Sequence, residues 1–233
     1  MGGEKGYNMK VEILGNHIST VDWHSRVSYV LFLNGCRMGC WYCQNQNKPV
    51  KVVSHKEIVD DIKEHMNIID AVVFSGGEPL LNTYEISRIL KELRGAGLEY
   101  AVETSGYNAR AFYRIQRDID QVFWDIKADL TDPADWRLRV VPKVAYSQAR
   151  EFLDILKESG KKVEYRFTIY KGYDFNKILS SINLLHMTME GPIVVRLQRC
   201  ITKGKVNEIP RKEIIDFKTK ISGLYGKEVV IYA

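Results

Sequence analysis

Cys36, Cys40 and Cys43 stand in the run Cys36-Arg37-Met38-Gly39-Cys40-Trp41-Tyr42-Cys43, so three thiols share one short loop. Thiolates are soft ligands that suit zinc and iron–sulfur clusters. An electron-transfer 4Fe–4S cube is ordinarily held by four cysteines. Three cysteines hold three irons and leave the fourth open to a substrate or cofactor, which points to chemistry at the cluster rather than electron storage alone. Zinc is the competing reading, because three cysteines and one further ligand make a common zinc set. The nearest histidine is His24, the remaining cysteine is Cys200, and no second paired cysteine motif follows, which favours the cluster.

Further polar groups recur after apolar runs. Ser75-Gly76-Gly77-Glu78-Pro79 carries two glycines that let backbone approach a ligand closely, although an ordinary strand-to-helix turn would read the same way. Glu103-Thr104-Ser105-Gly106 offers a carboxylate and two hydroxyls, or else a solvated turn. Asp125 and Lys127 are two residues apart on a strand and share a face. They could hold the ammonium and carboxylate of an amino-acid head group, or pair with each other. Arg166 lies within Val163-Glu164-Tyr165-Arg166-Phe167, and a charge in an apolar strand needs a partner, either Glu164 or a ligand carboxylate. Cys200 reads as a free buried thiol.

These residues need a frame, and the chain supplies one by alternating strand-like and helix-like runs. Strands are expected at Val27 to Leu33, Ile69 to Phe74, Tyr100 to Glu103, Val122 to Ile126, Lys162 to Ile169, Ile193 to Leu197 and Val229 to Tyr232. Helices are expected from Ser54, whose spacing to Glu57 is that of a capping box, to about Met66, and from Asn82 to about Arg94. Others run from Asn108 to about Gln116, Ser147 to Glu158, Phe175 to about Met187 and Arg211 to about Ser222. Lys127 to Ala145 is the least regular stretch and reads as a functional loop. Six β–α units in order imply an α/β fold with parallel strands and right-handed crossovers, either an open partial barrel or a doubly wound sheet. Both architectures gather chemistry at the C-terminal ends of strands, where these motifs fall.

The 233 residues contain no long linker, so one domain over 1–233 is expected, with residues 1–9 as a flexible extension. Neither a signal peptide nor a membrane span is visible, and a cytoplasmic protein without a membrane partner is expected. The net charge of +5 includes basic residues near the C-terminus, such as Lys203, Lys205 and Arg211. They read as a solvated face more readily than as a patch for an acidic protein or nucleic acid, and no RNA-binding aromatic motif accompanies them.

Cys36, Cys40 and Cys43 followed by Gly76-Gly77-Glu78-Pro79 resemble the radical S-adenosylmethionine (SAM) superfamily. Ser19-Thr20-Val21-Asp22-Trp23, Val27 to Phe32, Gln44-Asn45, Asp125-Ile126-Lys127-Ala128 and Glu164-Tyr165-Arg166 resemble the activating enzymes of glycyl radical enzymes. Among these, the activating proteins of anaerobic ribonucleoside-triphosphate reductase are the most similar. The resemblance covers about residues 10 to 200. It departs at His24-Ser25, where Pro-Gly is frequent, and at Gln44, where histidine is common.

The resemblance implies a partial (β/α)6 TIM-type barrel holding a 4Fe–4S cluster on Cys36, Cys40 and Cys43, with SAM on the open iron. It implies that the Gly76, Gly77, Glu78 and Pro79 backbone meets the methionine amino group and that Tyr42 packs on adenine. Glu103, Thr104 and Asp125 would lie at the methionine end or at a bound monovalent cation, with Lys127 and Arg166 on the carboxylate. A ferredoxin or flavodoxin would be the electron donor and a glycyl radical enzyme the protein substrate. Three other readings stay open: a radical SAM enzyme acting on a small molecule or RNA base, a non-catalytic zinc or interaction module, and a maturation factor that keeps the cluster without SAM chemistry.

Overall fold

A computed structural model describes residues 10–136, 140–202, 205–206, 209–226 and 228–232. The expected N-terminal extension and Lys203 lie outside them. The elements run β1 (Lys10–Ser19), β2 (Ser28–Leu33), β3 (Lys51–Ser54), α1 (His55–Glu64), β4 (Ala71–Gly76), α2 (Thr83–Glu92), β5 (Glu99–Thr104), α3 (Ala109–Ile115) and β6 (Gln121–Ile126). They continue as α4 (Pro142–Ser159), β7 (Lys162–Ile169), α5 (Phe175–Thr188), β8 (Ile193–Arg199), β9 (Ile201–Thr202), β10 (Lys205–Val206), α6 (Arg211–Tyr225) and β11 (Val229–Tyr232).

Nine strands form one sheet in the order β11-β8-β7-β6-β5-β4-β2-β1-β3, and β9 pairs with β10 separately. From β2 to β11 every neighbouring pair is parallel, while β1 lies antiparallel between β2 and β3. This is the expected α/β architecture, with a mostly parallel sheet and a helix in every parallel crossover. β1 and β3 add a two-strand flap that the reading by β–α units did not anticipate. Its signal was short: Val11 and Ile13 are buried while Lys10 and Glu12 are exposed, and a register shift between Ile13 and Gly15 ends the alternation.

Local sequence explains the helix ends. Ser54 accepts from the Glu57 amide at 3.1 Å, and Glu57 accepts from the Ser54 amide at 2.6 Å, completing the capping box. Helix α4 begins at Pro142, earlier than the expected Ser147, with proline in its first turn, where no amide hydrogen is needed. It ends at Gly160, whose φ of 60° is left-handed. Preceding it, residues 129–136 of the irregular stretch are pinned: Trp136 is buried and donates from Nε1 to Asp129 O at 2.9 Å, and the Leu130 amide donates to Ser181 Oγ at 3.0 Å.

The helix-covered face buries Phe74, Trp124, Phe112 and Phe152 within a large apolar core. The opposite, inner face carries a small cluster of Val30, Val73, Ala101 and Phe123, against which Trp23 packs. Trp23 belongs to the β1–β2 connection, where Ser25 sits at a φ of 65°. The glycine frequent at this point in the resembling family would adopt that angle without strain.

Candidate active site

The inner face opens at the C-terminal ends of the strands into a cleft of about 660 Å³, lined by Cys36, Cys40, Cys43, Tyr42, Gly76, Gly77, Glu78, Glu103, Thr104, Asp125 and Lys127. That volume lies within the range of small-molecule sites. The eleven lining residues just named come from four segments remote in sequence, at or just beyond the ends of β2, β4, β5 and β6, and the parallel strands bring them together. All four cysteines are free thiols, and burial raises the thiol pKa of Cys36 and Cys40. Metal binding would therefore have to displace their protons. Among the described residues no three His, Cys, Asp or Glu side chains converge on the position of a single metal ion.

The two glycines serve the loop's own packing. A Cβ at Gly77 would stand 2.1 Å from Gly35 O, and one at Gly76 would stand 2.3 Å from Leu33 O. The Gly77 amide donates to Leu33 O at 2.9 Å and the Glu78 amide to Gly35 O at 2.7 Å. Glycine is thus required at both positions because this backbone lies directly against the entry to the cysteine loop. Asn45 fastens the contact by donating from Nδ2 to Gly76 O at 2.6 Å.

Glu78 is fully buried. It accepts from Thr104 Oγ1 at 2.5 Å, from Ser105 Oγ at 2.5 Å, from the Ser105 amide at 3.0 Å and from the Leu80 amide at 3.2 Å. Burial pushes its pKa up, and these donors oppose the rise. Its carboxylate, and with it Thr104, ties two cleft loops together. Pro79 is buried at the start of a 3₁₀ turn and does not line the cleft.

Arg166 is buried and hydrogen-bonded through all three of its nitrogens. Its Nε donates to Glu164 at 2.8 Å, Nη1 to Glu103 at 2.7 Å and Nη2 to Asp22 O at 2.5 Å, and its guanidinium lies 3.8 Å from the Phe123 ring centroid. Glu164 also takes Arg196 at 2.7 and 3.0 Å. Of the two partners expected for Arg166, Glu164 is the one engaged, and each of the three arginine nitrogens donates to a protein group. Burial alone would raise the pKa of Glu103, but the charge of Arg166, a hydrogen bond from Ser75 and the charge of Lys127 carry it below the usual carboxylate range.

Asp125 and Lys127 pair with each other at the cleft wall, and Lys127 Nζ lies 5.6 Å from the Tyr42 ring centroid. Burial opposes the charge on Lys127, yet Asp125 and its other neighbours raise its pKa. Asp125 Oδ1 is buried with no hydrogen-bond partner. A buried carboxylate oxygen without a donor implies a missing one, so a ligand ammonium or a cation fits this point. Ser75, Ser105, Thr168, Gln198, Arg199 and Cys200 also line the cleft. Thr168 and Gln198 were missed although a signal existed: they stand two residues beyond Arg166 and Arg196 and share their face.

The family model of the radical SAM superfamily matches residues 30–185. The chain belongs to the radical SAM superfamily. The two cofactors of that superfamily, a 4Fe–4S cluster and SAM, are those the cysteine spacing and motif resemblance implied, and the three-thiol cleft with its orphaned carboxylate oxygen fits them. The pyruvate formate-lyase-activating enzyme of Staphylococcus epidermidis is 33% identical over 140 residues, covering 53% of this chain and 53% of that protein. The match thus spans about half the length of this curated relative. In fold, the chain is similar to SuiB of Streptococcus suis bound to S-adenosylmethionine, with a TM-score of 0.65 at 12% identity over 84% of this chain and 47% of the other. It is also similar to a domain of pyruvate-formate lyase-activating enzyme from Bacteroides vulgatus, with a TM-score of 0.53 at 23% identity over 70% of this chain and 99% of that domain. Among the described residues no helix is long and apolar enough to cross a membrane.

Proposed function

We propose that this protein is a glycyl-radical-enzyme activase whose partner is an anaerobic ribonucleoside-triphosphate reductase, with a ferredoxin or flavodoxin as electron donor. The observation that carries the reading is the joint lining of one cleft by the three cysteines, the Gly76–Glu78 loop and the Asp125–Lys127 pair, in a chain 33% identical to a glycyl radical activase over 140 residues. When bound, the reduced cluster would deliver one electron to SAM, giving methionine and a 5′-deoxyadenosyl radical that takes a hydrogen atom from the partner's glycine.

The chain's own residues have distinct parts in this. Cys36, Cys40 and Cys43 would hold the cluster. Asp125, through its unpartnered oxygen, would accept from the methionine ammonium or hold a monovalent cation, and Lys127 would face the carboxylate. Tyr42 would pack on adenine at the cleft wall. Glu78 and Thr104 keep the cradle in shape, and Glu103 is held ionised by Arg166. No side chain has to act as a general acid or base, because the cofactors carry the bond-breaking.

The test is anaerobic reconstitution with iron and sulfide, reduction by dithionite and measurement of 5′-deoxyadenosine after adding SAM. Electron paramagnetic resonance with purified anaerobic ribonucleotide reductase, and in parallel with pyruvate formate-lyase, then identifies the partner. 5′-Deoxyadenosine without a glycyl signal on either enzyme would sink the activase reading. A signal on pyruvate formate-lyase alone would replace the partner proposed.

A further inference from the structure

The sheet has a second cavity, at the end away from the cysteines. Its volume is about 450 Å³, within the range of small-molecule sites. Gln121, Lys162 and Ile193 line it, and they are the first residues of β6, β7 and β8. The cleft lies at the opposite strand ends, and the two cavities share no lining residue. A buried layer divides them: Glu164 lines the second cavity and binds Arg166, which binds Glu103 on the cleft side. The radical SAM reading gives this second cavity no role.

Two kinds of group converge there. Four rings line the cavity: Trp23 meets Phe123 edge-on at 5.7 Å, and His24 meets Tyr232 at 5.7 Å with a tilt of 36°. Arg196 lies 5.6 Å from the Tyr232 ring, yet Tyr232 stays 41% exposed, and His24 is exposed too. The polar groups are Lys161, Lys162, Glu190 and Gln121. Among the described residues Lys161 and Glu190 form no ion pair. Lys162 acts on Glu99, but Arg26 already binds that carboxylate at 2.6 Å. Gln121 donates from Nε2 to Val122 O at 3.2 Å, which leaves its carbonyl oxygen as an acceptor.

These groups narrow the ligand. A small inorganic anion would satisfy the lysines and leave four rings without a purpose. A purely apolar ligand would bury Gln121 and Glu190 against nothing that can donate to them. An aromatic acid would serve rings and lysines but offer Glu190 no hydroxyl. A planar base stacks on aromatic rings, a phosphate suits lysine, and a ribose hydroxyl suits an acidic side chain.

We propose that this cavity binds a nucleoside phosphate, with the base among the four rings, the phosphate on Lys161 and Lys162, and the ribose donating to Glu190. The site lies outside the cleft, so nucleotide and SAM can be bound together. The inference does not depend on the partner enzyme or on cleavage of SAM.

The test is calorimetry on the anaerobic cluster-loaded protein with ATP, GTP, CTP and UTP, each with and without saturating SAM. Inorganic phosphate serves as the plain-anion control. At least one nucleotide is expected to bind with a Kd below about 1 mM, and SAM should leave that affinity unchanged. Tyr232→Ala removes a ring and Lys161→Glu reverses a charge, and each should weaken binding by about tenfold or more. Binding should also weaken as salt rises. Should Tyr232→Ala lower the unfolding midpoint, His24→Ala takes its place as the ring variant.

No binding by any of the four nucleotides overturns the proposal. Displacement of the nucleotide by SAM also overturns it, because the ligand would then sit in the cleft. Phosphate binding as tightly as the nucleotide would make the cavity a plain anion site. Unchanged affinity in Lys161→Glu or in the ring variant would put the nucleotide elsewhere and sink the assignment.

Discussion

Asp125 and Arg166 are register partners on β6 and β7, yet they belong to ion clusters built on opposite terms. Around Arg166, two carboxylates and a backbone carbonyl satisfy the three guanidinium nitrogens, and a second arginine completes Glu164. Around Asp125 a single lysine is the counter-charge and one carboxylate oxygen is left without a donor. Acid–base clusters one strand apart thus form a closed structural network in one case and an open receptor in the other. A buried charge alone does not mark a binding site; an unfilled valence on it does.

The largest expected effect breaks the open cluster's purpose outright. Cys40→Ala should abolish 5′-deoxyadenosine formation and lower bound iron, read by product analysis and iron assay on the anaerobic protein, while the fold persists by circular dichroism. The closed network should fail differently. Glu164→Gln leaves two arginines short of charge, and breaking a buried pair from one side costs about 3–5 kcal/mol. Denaturant unfolding of the cluster-free protein should show that loss.

Asp125→Asn sharpens the contrast. Losing a charge-assisted hydrogen bond to the ligand should weaken SAM binding by about tenfold or more, measured by calorimetry, with a smaller stability loss than Glu164→Gln. Were the two variants to lose stability equally while SAM affinity held, the division between open and closed clusters would be wrong.

The pH profile separates them further. Glu103 and Glu164 have folded pKa values below the ordinary 4.5, so the unfolded state takes up protons first as pH falls. Their stabilisation is complete above about pH 4.5 and is lost as pH drops through the folded values. Unfolding free energy should be insensitive to these groups between pH 7 and about 5.5 and fall below about 4.5, and Glu164→Gln should flatten that acid limb. The smallest effect concerns the loop whose carbonyl at Asp22 completes Arg166. Ser25→Gly relieves a left-handed angle and should stabilise the protein by about 0.5–1 kcal/mol in the same unfolding experiment.

The parallel core was legible because its strands are short apolar runs closed by polar or glycine residues, and α1, α4, α5 and α6 carry a cap or a glycine stop. β1 and β3 escaped because their alternation is brief and one face is exposed. The cysteine loop and the cleft-facing motifs were legible from spacing and strand position. What sequence could not give was the partner of each charge. Glu164 two residues from Arg166 suggested one bond, but the bonds to Glu103 and to Asp22 O span 63 and 144 residues. The role of Gly77 was hidden for the same reason, since the backbone that forbids a side chain there comes from Gly35, on a separate loop.

Glu78 has a consequence for how the site meets its ligand. Two of its four donors are backbone amides, those of Leu80 and Ser105, which fastens the ends of β4 and β5 to one carboxylate. The loops that flank the cleft therefore open together or not at all, as a single cooperative unit. In heavy water these two amides should exchange slowly and at a common rate, and adding SAM should change that rate little, because the bonds to Glu78 are complete before anything enters the cradle.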